Sequence, residues 1–187
     1  MIETPRLTLL PLTLDQLRLH VADTTRLEVS LGLEKGHRKV VEPLTSVIVH
    51  FTVPRLRDPA RDPLYHTVWI AIDRQNRQIV ADAKFKGEPD ETGTVEIGYG
   101  TYPAFQRQGY MAEMIGGLMR WAGDQPGVLR IVADTDAENV ASQKVLEKNG
   151  FQLFDQVEDM LWWEYVFERQ QSLMFDENGY LVPYKVQ

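Results

Sequence analysis

The feature that most constrains this chain is a change of hydrophobic period between residues 94 and 122. In Thr94-Val95-Glu96-Ile97-Gly98-Tyr99-Gly100, strand parity places Val95, Ile97 and Tyr99 on one face and Glu96, Gly98 and Gly100 on the other. Beyond Pro103 the period becomes helical, with Met111, Met114, Ile115, Leu118, Met119 and Ala122 on one stripe. Strand, tight loop and helix therefore follow one another directly. Glycines weaken a strand, so Gly98 and Gly100 read as a notch that admits a close neighbour such as a ligand, with Glu96 beside it. The loop Gln106-Arg107-Gln108-Gly109-Tyr110 leads into the helix, whose first amides have no internal acceptor. That is an expected anion site, with Gly109 allowing close approach and Arg107 adding charge. Gly116-Gly117 inside the helix costs about 1 kcal/mol per glycine relative to alanine. Close packing and a weakened turn both stay open as reasons.

The flanking sequence supplies the rest of a mixed α/β domain. An edge strand is expected over residues 6–11, and a helix from the Thr13-x-x-Gln16 capping box to about Asp23. A polar irregular stretch follows, then a second helix from Pro43 to about Phe51, and a Pro-rich loop over 54–63. Residues 66–73 and 78–86 read as a hairpin, 128–133 as a strand, and 139–149 as a helix closed by Gly150-Phe151. Residues 151–154 and 161–167 read as the last two antiparallel strands. Trp162 and Trp163 point to opposite faces of the latter. The expected fold is a mixed, mostly antiparallel sheet of about seven strands flanked by about four helices. It spans residues 1–169, followed by an extension over 170–187 whose Asp176-Glu177-Asn178-Gly179 turn signal predicts a small docked hairpin.

The 187 residues suit one domain with a proper core. The net charge of −7 argues against a nucleic-acid partner, since phosphate affinity comes from clustered Lys and Arg. Residues 63–187 carry nineteen acidic against eleven basic groups, which mildly favours a cationic substrate such as an amine and equally serves solubility. No apolar run is long enough for a membrane span, there are no cysteines, and the N-terminus lacks a signal pattern, so the cytoplasm is the expected compartment. The four histidines lack metal-ligand spacing, and no metal is expected.

Three stretches together resemble the GNAT superfamily of acetyl-CoA-dependent N-acetyltransferases, in particular its ribosomal-protein N-terminal acetyltransferase branch. Pro5-Arg6-Leu7-Thr8-Leu9 is similar to the opening strand of that branch. Glu96-Ile97-Gly98-Tyr99, then Gln106 through Glu113, resembles the acetyl-CoA signature, with Met111 at a position usually Gly or Ala and Ala112 in place of a threonine. Asn139 through Phe151 resembles the N-x-x-S-x-x-V-L-x-K-x-G-F helix.

The resemblance implies that acetyl-CoA is the acyl donor and a primary amine the acceptor, either a protein N-terminus or a small molecule, in a monomer or homodimer. It places the pyrophosphate against Gln106, Arg107, Gln108, Gly109, Tyr110 and Met111, and the pantetheine arm along Ile97, Gly98 and Tyr99. Tyr99 is expected to offer its N–H to the oxyanion of a tetrahedral intermediate, and Asn139 to bond the pantetheine or a water. Leu146 stands where many relatives carry the tyrosine that protonates the leaving thiolate, so Ser142 is the substitute candidate. Glu96 is the candidate general base, with an ion pair to a neighbour such as Lys84 as its structural alternative. A non-catalytic acyl-CoA sensor on the same fold is the competing reading.

Overall fold

A computed structural model of the chain describes residues 1–22, 24–36, 38, 40–168, 173–175 and 181–183. Alternating apolar residues build eight strands, β1 (Ile2–Glu3), β2 (Leu7–Pro11), β3 (Val68–Asp73), β4 (Gln78–Phe85), β5 (Thr94–Thr101), β6 (Arg130–Asp136), β7 (Gln152–Val157) and β8 (Met160–Val166). They form one sheet in the order β1-β2-β3-β4-β5-β6-β8-β7. Every neighbouring pair is antiparallel except β5 and β6, which run parallel. The parallel pair requires a crossover, supplied by the helix whose stripe was evident in the sequence.

Helices cover both faces of the sheet. α1 (Leu14–Ala22), α2 (Thr24–Ser30), α3 (Leu44–Val47) and α4 (Val53–Leu56) precede β3, while α5 (Tyr110–Gly123) and α6 (Val140–Lys148) flank β6. α3 and α4 are continuous through a π-helical turn, Ile48–Thr52. The widened turn lies just ahead of Pro54, whose ring would crowd the carbonyl four residues back in a regular helix. The helix consequently runs to Leu56, three residues into the stretch expected to be a loop.

The sheet's two faces carry two apolar clusters. Leu7, Leu9, Trp69, Ala71, Phe85, Val95 and Ile97 meet the buried stripe of α5, and all six stripe residues of that helix are buried. Val68, Ile70 and Ile79 face Leu17, Leu27 and Ile48 from the helices on the other side. Gly117 lies where α5 crosses β2. A Cβ there would stand 2.7 Å from Leu9 Cδ1 and 2.9 Å from Thr4 Cγ2, so close packing accounts for this glycine.

Several expectations are corrected. Residues 24–30 form α2 rather than irregular chain. Strand β2 is not an edge, because β1 pairs outside it through Ile2↔Leu9 and Glu3↔Thr8, which raises the strand count to eight. Beyond the sheet, β9 (Leu173–Phe175) pairs antiparallel with β10 (Leu181–Pro183). The expected turn over residues 176–179 lies outside the described residues.

Candidate active site

The site begins where two parallel strands separate. β5 pairs with β6 only over Thr94↔Arg130, Val95↔Ile131 and Glu96↔Val132. Thereafter β5 stays with β4 as far as Thr101, while β6 stays with β8 as far as Asp136. The Glu96 carbonyl accepts from the Lys86 N–H of the β4 side at 2.8 Å. Backbone alternation then turns the N–H and C=O groups of Ile97 and Tyr99 toward the gap that β6 has left.

At the wide end of the gap lies a cleft of about 820 Å³, walled by the start of α5 and the first turns of α6. Arg107 and Gly109 adopt left-handed conformations at φ 62° and 78°, and no side chain caps α5. Successive amides in such a turn form a concave anion-binding nest, reinforced by the positive end of the helix. Lys144 and Lys148, one turn apart on α6, stand on the opposite wall. Arg6 fixes the turn from behind. Its Nη1 donates to the Gln108 carbonyl at 3.1 Å, its Nε bonds Glu113 Oε2 at 2.7 Å, and its guanidinium carbon lies 4.6 Å from the Tyr110 ring centroid.

Two hydroxyls meet across this cleft. The Tyr99 hydroxyl and Ser142 Oγ are 2.8 Å apart, and burial pushes the Tyr99 phenol up to about 12, against the smaller opposing effect of the Ser142 bond. Asn139 caps α6 by accepting from the Ser142 N–H at 3.1 Å, which leaves the donors of its amide for a ligand. Leu146 is wholly buried in the core behind α6.

A second cavity of about 710 Å³ opens on the other face of β5. Register places Asp82 opposite Gly100 and Lys84 opposite Gly98, so a row of β4 side chains rises beside the glycine notch. The continuous helix of α3 and α4 covers the row with Leu44, Val47, Phe51 and Arg55. Tyr99, Gly100 and Thr101 line both cavities. Burial raises the Asp82 carboxyl to about 6, opposed by the Tyr102 hydroxyl that donates to it and by Arg38. Lys84 donates to Thr52 Oγ1 at 3.0 Å, and burial, with Arg55 and then Lys86 adding to it, lowers its ammonium to about 8.

Glu96 lies at the vertex of the gap, where it forms an ion pair with Lys86 rather than with Lys84. Lys86 also bonds Asp134 Oδ1 at 2.9 Å. Burial disfavours the Lys86 ammonium, but its bonds to Glu96 and Asp134 outweigh burial and raise its pKa above that of an ordinary lysine.

Of the residues singled out in the sequence, Tyr99, Gln106, Arg107, Gly109, Tyr110, Met111, Asn139 and Ser142 line the first cavity. Gly98 lines the second. The Ile97 side chain is buried in the core, and Gln108 gives its carbonyl to Arg6. Sequence reasoning passed over Lys144 and Lys148, although their four-residue spacing behind the Asn139 cap puts both on one helix face. It also passed over Asp82 and Lys86 and named Lys84 only as an ion-pair partner for Glu96; the row these three make is visible in sequence only as a period of two in an unremarkable strand. Among the described residues no three side chains are grouped to hold a metal ion, and no helix is long and apolar enough to cross a membrane.

Residues 6–152 match the family model described as an acetyltransferase (GNAT) domain. The chain belongs to the GNAT acetyltransferase family. An uncharacterized N-acetyltransferase, YjdG of Bacillus subtilis (strain 168), is 40% identical over 98 residues, which are 52% of this chain and 58% of that protein. The chain thus aligns with little more than half the length of this relative. Among solved GNAT structures, spermidine N-acetyltransferase from Vibrio cholerae, in complex with CoA and spermine, superposes with a TM-score of 0.60 at 16% identity, covering 86% of this chain and 95% of that one. The ribosomal-protein-S5-alanine acetyltransferase from Vibrio fischeri gives the same TM-score, 0.60, at 14% identity, covering 88% of this chain and 94% of that one. At such identities the GNAT neighbours share the fold alone, and they differ in their named acceptors.

Proposed function

We propose that the protein transfers acetyl from acetyl-CoA to a primary amine by direct attack on the thioester. The observation that carries this reading is the separation of β5 from β6 after Glu96, with the anion-binding turn at one end and separate cavities on the two faces of β5. The residues present suit a CoA ester. The amides of Arg107 to Met111 would take the pyrophosphate, with Lys144 and Lys148 supplying charge, and the free edge of Ile97 and Tyr99 would pair with the pantetheine amides as an added strand.

The remaining steps fall to groups at the vertex. The Tyr99 N–H would stabilise the oxyanion of a tetrahedral intermediate, a contribution of about 2.7 to 4 kcal/mol for one such donor in other enzymes. Glu96 is proposed to accept the amine's proton, directly or through a water. The Tyr99 and Ser142 hydroxyls would protonate or solvate the departing thiolate. The balance is simple: one C–N bond forms, the C–S bond breaks, and the proton lost by the amine matches the one gained by the thiol.

An acyl-CoA sensor is the second reading, favoured by the buried apolar Leu146 at the position of the usual proton donor. The Tyr99 and Ser142 pair supplies hydroxyls from elsewhere and supports the enzyme. Measurement of acetyl-CoA binding, together with coenzyme release over a panel of amines, separates the two. Binding with turnover supports catalysis, and tight binding with no turnover on any amine supports the sensor. The ribosomal-protein branch and a cytoplasmic setting remain part of this proposal.

A further inference from the structure

The second cavity carries a charge pattern that the overall composition conceals. Although the chain is acidic, the β4 row and the covering helix bring Lys84, Lys86 and Arg55 into one cavity, with Asp82 at its inner end and Glu42 at its rim. Lys86 is compensated by Glu96 and Asp134. Glu42, just ahead of α3, accepts from the Ser46 N–H of that helix at 3.2 Å. Asp82 is buried beneath the Tyr102 hydroxyl.

Lys84 and Arg55 differ from these. Lys84 spends one donor on Thr52 and has no carboxylate in ion-pair reach among the described residues. Arg55 has only the Phe51 ring, 5.9 Å from its guanidinium carbon, and likewise no carboxylate among the described residues. An ammonium has three donors and a guanidinium five, so the described residues meet only a small part of their hydrogen-bonding capacity. Two uncompensated cations in a partly desolvated cavity disfavour a polyamine and favour an anion.

The position of Lys84 turns this into a statement about the acceptor. It stands directly opposite Gly98, one residue from Tyr99, and opposed strand residues lie about 5 Å apart. We propose that the acceptor is an anionic amine, carrying a carboxylate or phosphate a few bonds from its amino group, with the anion held by Lys84 and Arg55. The apolar wall of Leu44, Val47 and Phe51 accommodates the remainder of the molecule. This inference rests on the acetyltransferase reading and specifies its substrate class.

The test compares coenzyme release with amino acids of increasing side-chain size, the carboxamide of each, aminoalkyl phosphates and spermidine. In the wild-type protein, the expected kcat/KM for a carboxylate or phosphate amine exceeds that of its uncharged partner by at least about 10-fold. This ratio is expected to fall about 10-fold in both Lys84→Met and Arg55→Gln, with folding checked by thermal melting. Preference for phosphates over carboxylates identifies the source of the anion. A ratio near one, or spermidine as the best acceptor, overturns the proposal. Calorimetric binding of an N-acetyl amino acid and its carboxamide, to wild type and Lys84→Met in the presence of CoA, reads the anion site without turnover. If no amine is acetylated, the catalytic reading fails while calorimetry still decides the anion site: stronger binding of the carboxylate, lost in Lys84→Met, supports it, and equal binding rejects it.

Discussion

Tyr99 and Ser142 join strand β5 to the first turn of α6 through hydroxyls 2.8 Å apart. Because a thiol has an ordinary pKa of about 8.5 and burial holds the Tyr99 phenol near 12, complete proton transfer from Tyr99 to the thiolate is uphill. The pair is therefore expected to act mainly by solvating the thiolate. Tyr99→Phe and Ser142→Ala should each lower kcat by about 10-fold, short of the ~100-fold or more of full general-acid catalysis. Acetyl-CoA affinity should change little, and single-turnover kinetics with a binding titration would show the split.

Glu96→Gln is expected to lower kcat/KM by about 100-fold with acetyl-CoA binding retained. The alternative base is Asp82, whose carboxyl burial raises to about 6. Full turnover of Glu96→Gln over roughly pH 6 to 9, together with an acid limb near 6 that vanishes in Asp82→Asn, would move the role to Asp82.

Glu113 accepts from Thr4 Oγ1, the Arg6 N–H and Arg6 Nε, each at 2.7 Å. Burial opposes its ionisation, but these bonds outweigh burial and hold the carboxyl below its ordinary range. A depressed acid stabilises the fold above its unfolded pKa, and that contribution is lost as pH falls through the folded value. Glu113→Gln is expected to destabilise by about 1–3 kcal/mol at neutral pH and to raise KM for acetyl-CoA by loosening the Arg6 brace. The stability gap should close in acid; urea melts at two pH values measure it.

His20 supplies a second pH dependence. Burial, assisted by the Arg38 charge, lowers its imidazole from 6.5 to about 3, so the folded state keeps it neutral while the unfolded state takes a proton. Stability should therefore fall as pH drops from 6.5 toward 3, by up to about 1.4 kcal/mol per unit. His20→Gln should flatten this slope, read by chemical denaturation across the range.

Gly117→Ala tests the packing of α5 on β2. With Leu9 Cδ1 only 2.7 Å from the new methyl, the gain in helix propensity is expected to be outweighed by overpacking of about 1–3 kcal/mol, seen as a lower Tm.

The extension over residues 170–187 is proposed to dock as a hairpin on the sheet or on a second subunit. Its deletion is then expected to lower Tm or change the oligomeric state in light scattering. No effect on either would reject docking.

What the sequence made legible was whatever depends on local period. The stripe of α5, the parity of β5 and the amide-rich turn at Gly109 all follow from neighbours within a few residues. The helix through Pro54 did not, because a π turn relieves a clash that a regular helix would suffer. Nor did α2, where Leu27 is wholly buried by long-range packing in a polar stretch. Within the site, the Lys86 partner of Glu96 and the Ser142 partner of Tyr99 lie ten and forty-three residues away in the chain. Such partnerships are set by register and helix placement, which no single segment contains.

Tyr99, Gly100 and Thr101 form a wall common to both cavities, whereas Val47, Phe51 and Arg55 touch only the second. On the proposed reading, a displacement of the common wall's backbone is expected to disturb donor and acceptor together. A substitution in the covering helix is expected to reach the acceptor alone, so that selectivity is retuned there with acyl-donor handling intact.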